Sequence, residues 1–132
     1  MSFRTLMIIK AVVCLIFGVA LLFFPGFLLS ILGANLGPGG LFTAREYGAA
    51  LWGNLMITWF ARNAADSDAR RAIILAMFIY DLIGFIVTLV NVLSGVLNPL
   101  GWLVVIVYLF FTVGFGYFLI KKPGVTLKAT AT

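Results

Sequence analysis

Residues 71–94 read RAIILAMFIYDLIGFIVTLVNVLS. The run opens on Arg70-Arg71, ends at Ser94-Gly95, and between Ala72 and Leu93 holds one charged side chain, Asp81. A helix that crosses a bilayer needs about 20 mainly apolar residues, and this segment supplies them. Three further runs have the same character, at residues 5–24, 43–64 and 99–120. The expectation is an all-α fold: a polytopic membrane protein with four transmembrane helices in a bundle, a single membrane domain over residues 1–132.

The composition agrees. Of 132 residues, 64% are hydrophobic and 10% charged, against roughly 45–50% and about 25% in an ordinary soluble domain. A chain this short buries too small a share of its surface to hide so much apolar area from water, so lipid is the expected solvent. Several functions are excluded on residue type. Histidine is absent, which removes imidazole metal sites, axial haem pairs and histidine-based nucleophilic triads. The single cysteine, Cys14, allows neither an internal disulfide nor a CxxC pair. No glycine-rich nucleotide-binding fingerprint occurs. No metal or cofactor is therefore expected. The aromatic content, which could be read as a chromophore or quinone cradle, is expected to be lipid-facing packing.

Helix breakers fall where the spans should end: Pro25-Gly26, the 37–40 Gly-Pro-Gly-Gly cluster, and Gly95 with Asn98-Pro99. Asp66-Ser67-Asp68 marks a turn, with Asp68 as a candidate cap of the third span. Residues 25–32 are apolar but too short to cross, and a short interfacial helix is favoured over a re-entrant loop. A cleaved signal peptide ending at Gly18-Val19-Ala20 is the weaker reading of the first span. No internal repeat is evident.

Folding the chain at these breakers puts Arg4, Lys10, Arg62, Arg70, Arg71, Lys121, Lys122 and Lys128 on one side and Arg45 on the other. The positive-inside rule then predicts both termini in the cytoplasm, in a multi-pass protein of the inner or plasma membrane. The formal charge of +5 is assigned to anionic lipid headgroups at that face rather than to nucleic acid. The basic tail, residues 121–132, is read as a flexible segment on those lipids.

Asp81 is the candidate for chemistry. It lies about 15 Å along the helix from Arg71, and a carboxylate near the bilayer centre costs at least about 2.5–3.5 kcal/mol. Its seam is small or polar: Met77, Asp81, Gly84, Thr88, Asn91 and Gly95 recur at spacings of three and four. Span two offers a face of Tyr47, Ala50, Asn54, Thr58 and Ala61, and span four offers Tyr108 and Thr112. The expected arrangement is a polar network of Asp81 with Asn54, Thr58, Tyr108 and Thr112, flanked by Thr88 and Asn91. Span one contributes Cys14 and Gly18, a small-residue pair that admits close helix approach, and no comparable polar group. Two readings follow. Asp81 either binds a proton, a cation or the head of a ligand, or serves as an interhelical hydrogen-bond clip, charged or protonated. Arg45 and Glu46 open span two. Adjacent helical residues point about 100° apart, so one is expected to face Asn91 or Asn98 and the other the headgroups, with an outer ligand contact as the alternative.

The stretch Ala44-Arg45-Glu46-Tyr47-Gly48-Ala49-Ala50, followed by Trp59-Phe60-Ala61-Arg62, resembles small bacterial four-span membrane proteins, the DoxX-like families among them. Phe24-Pro25 at the end of span one and Gly101-Trp102 opening span four are similar too. The resemblance implies a fold rather than an activity, and the shortage of cysteine and histidine speaks against a redox role. One acid without a second titratable partner is thin for acid–base catalysis. The leading expectation is a non-catalytic accessory or structural subunit of a larger complex, or a homo-oligomer. The alternative is a small transporter or ligand-binding protein using the Asp81 site.

Overall fold

A computed structural model describes residues 1–121, and these are helical throughout apart from short connections: α1 (Phe3–Phe23), α2 (Pro25–Ile31), α3 (Pro38–Phe60), α4 (Asp68–Leu93) and α5 (Gly101–Ile120). Local chemistry sets the boundaries. Ser2 caps α1 by accepting the Thr5 amide at 3.1 Å. Pro25 and Pro38 open α2 and α3, where a missing amide hydrogen leaves no bond unmade. Gly33 and Gly95 take φ values of +83° and +82° in the turns after α2 and α4, the left-handed region that glycine enters without steric cost. The cap of α4 is Ser67, which accepts the Arg70 amide at 3.1 Å, and Asp68 sits inside the first turn. The serine therefore takes the role expected of Asp68. The basic tail beyond Lys121 lies outside the described residues.

Three helices, α1, α4 and α5, are long and apolar enough to cross a membrane, and the molecule is read as a helical membrane protein. Their outer surfaces carry the residues lipid demands, with Ile83, Val90, Leu103 and Val113 each more than half exposed. α3 matches them in length at 23 residues, but Arg45, Glu46 and Asn54 make it less apolar. It also starts earlier than the composition suggests. Arg45 and Glu46 lie within the helix, about 10 Å along it from Pro38, instead of opening it.

The four longer helices form two antiparallel pairs. α1 lies against α3, and α4 against α5. Glycines permit both close approaches. A Cβ on Gly48 would stand 2.7 Å from the Leu22 backbone, and one on Gly84 would fall 2.3 Å from the Tyr108 ring. Two apolar clusters form, and the first joins the pairs. Toward the N-terminus, Phe3, Leu6 and Met7 of α1 pack with Ile74 and Met77 of α4 and Phe111 and Phe115 of α5. Toward the opposite end, Cys14, Leu21 and Leu51 form a smaller cluster bordered by Leu28 and Leu29 of α2. There Asn98 ties the α4–α5 connection to the end of α2, its amide donating to the Leu32 carbonyl at 2.9 Å and its Nδ2 to the Ile31 carbonyl at 2.8 Å.

Candidate functional site

Between the two apolar clusters sits a buried ion pair. Asp81 of α4 is wholly inaccessible and Lys10 of α1 is nearly so, and the lysine Nζ donates to the aspartate Oδ1. The same ammonium lies 4.4 Å from the Phe111 ring centroid and 4.7 Å from that of Tyr80, where the negative faces of the rings attract a desolvated cation. One carboxylate and two aromatic faces thus offset part of the desolvation of the ammonium. The carboxylate is less well served. Its second oxygen, Oδ2, is buried and has no hydrogen-bond partner.

Next to this pair three tyrosine hydroxyls converge, one from each long helix other than α1. Tyr47 of α3 is hydrogen-bonded to Tyr80 of α4 and to Tyr108 of α5. A hydroxyl has one hydrogen to donate and two lone pairs to accept. Three hydroxyls joined by two bonds therefore use two of their three hydrogens and keep one donor free. Gly84 makes the arrangement possible, since any side chain there would occupy the place of the Tyr108 ring.

Lys10, Asp81 and the three tyrosines are among the residues that border a cavity of about 170 Å³, otherwise lined by apolar side chains including Val13, Phe17, Leu28, Leu29, Val104 and Val107. Cys14 is also on the wall, reduced and buried. The Leu28, Leu29 and Leu32 side chains bring α2 and its end over the cavity. On the far side of the tyrosines a more open pocket reaches Ile83, Val87 and Thr88. No group of three or more metal-ligating acids, cysteines or histidines occurs among the described residues.

Of the expected network, Asp81 and Tyr108 come to this site and the others do not join it. Thr58 donates to the Asn54 carbonyl at 2.7 Å, Thr112 to the Tyr108 carbonyl at 2.7 Å, and Asn91 to the Val87 carbonyl at 2.8 Å. Each satisfies its polar group on its own helix, as such side chains do where no better partner is level with them. Asn54 is half-buried and Thr88 lines only the outer pocket. Arg45 and Glu46 are both exposed, so neither turns inward toward Asn91 or Asn98. The largest correction concerns span one. Lys10, counted with the charges at the membrane edge, is the partner of Asp81, and the helix expected to bring no polar group supplies the most consequential one. Tyr80 is likewise outside the expected set; its one sequence signal is adjacency to Asp81 on the same helix.

The chain matches no protein-family model, no curated protein and no solved structure.

Proposed function

We propose that this is a non-catalytic, four-span membrane protein that binds a small, largely apolar molecule bearing one hydroxyl. The observation that carries the reading is Asp81, whose Oδ2 is buried without a hydrogen-bond partner, among the residues that border an apolar cavity. A buried acceptor without a partner costs roughly 1–3 kcal/mol, more when charged, and calls for a reason. The tyrosines beside it keep one unused donor. A ligand hydroxyl is both donor and acceptor, and so complements both defects with one group.

Size and shape narrow the class. An engineered apolar cavity of about 150 Å³ admits benzene, so about 170 Å³ suits a ring-sized alcohol or phenol. Beyond Lys10 and Asp81, Met7, Met77 and Phe111 are packed with almost no exposure, and this favours binding over conduction. The accessory-subunit reading leans on a scarcity of catalytic groups, whereas here five polar side chains border one cavity. Lys10 is a second titratable group beside Asp81, but the two are spent on one another, and the non-catalytic reading rests on that pairing.

In the proposed topology α3 is the fourth span. Arg4, Arg62, Arg70, Arg71 and Lys121 then lie at one end, and the positive-inside rule places that end in the cytoplasm of a cell whose plasma or inner membrane holds the protein. Arg62 stacks 4.0 Å over Trp59 and Arg70 4.0 Å over Phe3, an arrangement suited to a boundary with anionic headgroups. A DoxX-like affiliation remains a proposal on the same footing.

Thermal unfolding in detergent tests the binding reading. Benzyl alcohol is expected to raise the midpoint more than toluene, which fills space but cannot bond Oδ2, and Leu29→Trp, which fills the cavity, is expected to abolish the difference. Equal shifts from the two probes, or shifts that survive Leu29→Trp, would overturn it.

A further inference from the structure

The exposed face of α3 is unlike the exposed faces of the other long helices. α4 and α5 present mainly Ile, Val and Leu with Trp102, Phe110 and Tyr117, while α3 presents Arg45, Glu46, Ala49, Ala50 and Gly53, together with Phe42, Met56, Ile57 and Phe60. At 100° per residue all nine fall within an arc of about 140°. Among the described residues neither Arg45 nor Glu46 makes an ion pair, the two pairs present being Lys10–Asp81 and Arg70–Asp66. A Cβ on Gly53 would meet nothing within 4 Å. The glycine therefore serves no packing inside the chain, although glycine within a helix is destabilising relative to alanine. The small and charged part of this face gains little from lipid tails, and charges within a span are usually paired with one another.

We infer that this face is the seat of a second copy of the same chain, in a parallel twofold dimer with α3 against α3. Charge complementarity selects that occupant. Arg45 and Glu46 lie on opposite flanks of the seam, about 100° apart. All copies of a chain enter a membrane in one orientation, so a twofold axis along the membrane normal keeps each residue level with its counterpart. Such an axis also sets one flank of a helix against the opposite flank of its mate. Arg45 of each copy thus meets Glu46 of the other, giving two identical ion pairs, as an isologous interface requires. Ala49 and Gly53, one helical turn apart below the charges, let the two backbones approach as small residues do in membrane helix dimers. The surface stands apart from the cavity and its ligand. It does rest on α3 crossing the membrane, which belongs to the proposed topology.

The experiment uses the full chain in liposomes, with Cys14→Ala as background. Gly53→Cys, which introduces no clash, is expected to form a disulfide-linked dimer under mild oxidation. Val113→Cys, on the exposed face of α5, is expected to stay monomeric. Arg45→Glu and Glu46→Arg are each expected to abolish the Gly53→Cys crosslink when alone, because each places like charges across the seam. Mixing the two variants is expected to restore it, since one copy then sets two acids against the two bases of its mate. That recovery also shows that both variants are folded, and neither lipid nor an unrelated partner protein reproduces it. Impermeant labelling of Asn35→Cys and Asn63→Cys reports the span separately. Labelling of both from one side overturns the topology and the dimer together. Labelling from opposite sides, with no crosslink at Gly53 or no recovery on mixing, overturns the dimer alone.

Discussion

Divided at the level of Lys10 and Asp81, the molecule has two halves built on different terms. The half toward the N-terminus is close-packed: Leu6, Met7 and Phe115 have no exposed surface, and Phe111 and Met77 almost none. The other half is looser, with the 170 Å³ cavity, a roof from α2, and polar links in place of packed side chains between the helix pairs. The two halves divide the labour. One holds the two helix pairs together, which lets the other leave space unfilled. The ion pair lies at the seam, where the packed half excludes water and the cavity of the open half borders it.

The largest effects should come from attacking the packed half. Phe115→Ala removes a wholly buried ring and is expected to destabilise by about 3–5 kcal/mol. Leu29→Ala, at a half-buried position on the cavity wall, is expected to change stability by less than about 1 kcal/mol, because space already exists beside it. Unfolding by denaturing detergent, followed by circular dichroism, compares the two. Equal losses would mean that the halves do not differ as described.

At the seam, Lys10→Met is expected to destabilise by about 3–5 kcal/mol, since it leaves Asp81 buried without a counter-charge. The double variant Lys10→Met with Asp81→Leu is expected to recover most of that loss, because replacing a buried pair by apolar side chains is often neutral or stabilising. It should nevertheless lose the benzyl alcohol response. A double variant as unstable as Lys10→Met alone would show that the ion pair itself holds the halves together.

These residues also show what the sequence could and could not say. Hydropathy and breakers made the helical membrane architecture legible, because lipid imposes a length and composition that few other folds share. Asp81 was legible for the same reason: a lone acid inside an apolar run has to face the interior. Lys10 was not. Its distance from the start of its span reads as snorkelling depth only if all helices start in one plane. α4 has 26 residues to the 21 of α1, so depth counted from Arg71 and depth counted from Phe3 do not share an origin. Thr58, Thr112 and Asn91 depart from expectation for another reason. A helical-wheel face records direction, and it cannot tell whether a side chain reaches across to a neighbour or bonds back to its own helix.

A smaller effect is expected at Gly84, where the Tyr108 ring passes over α4. Gly84→Ala is expected to cost about 1–3 kcal/mol through overpacking, since the added carbon would stand 2.3 Å from the ring. Displacing Tyr108 also breaks its bond to Tyr47, so the loss of the alcohol response should exceed what the stability change alone explains. Full retention of that response, measured well below the unfolding midpoint, would detach the tyrosines from the site.

The gentlest change is Tyr47→Phe, and it isolates the polar links of the open half from its shape. The ring stays and the central hydroxyl goes, taking with it the bonds to Tyr80 and Tyr108. Hydrogen bonds between membrane helices average under about 1 kcal/mol, so stability should fall by roughly 1 kcal/mol, far less than for Phe115→Ala. The hydrogen count changes more than the energy does. With the centre removed, Tyr80 and Tyr108 each have a hydroxyl free to donate, where the intact trio keeps one donor for three rings. If that single donor orients the ligand, Tyr47→Phe should weaken the preference for benzyl alcohol over toluene without abolishing occupancy by either. A preference unchanged in Tyr47→Phe but lost in Asp81→Asn would assign recognition to the carboxylate alone and leave the tyrosines as a tie between the two helix pairs.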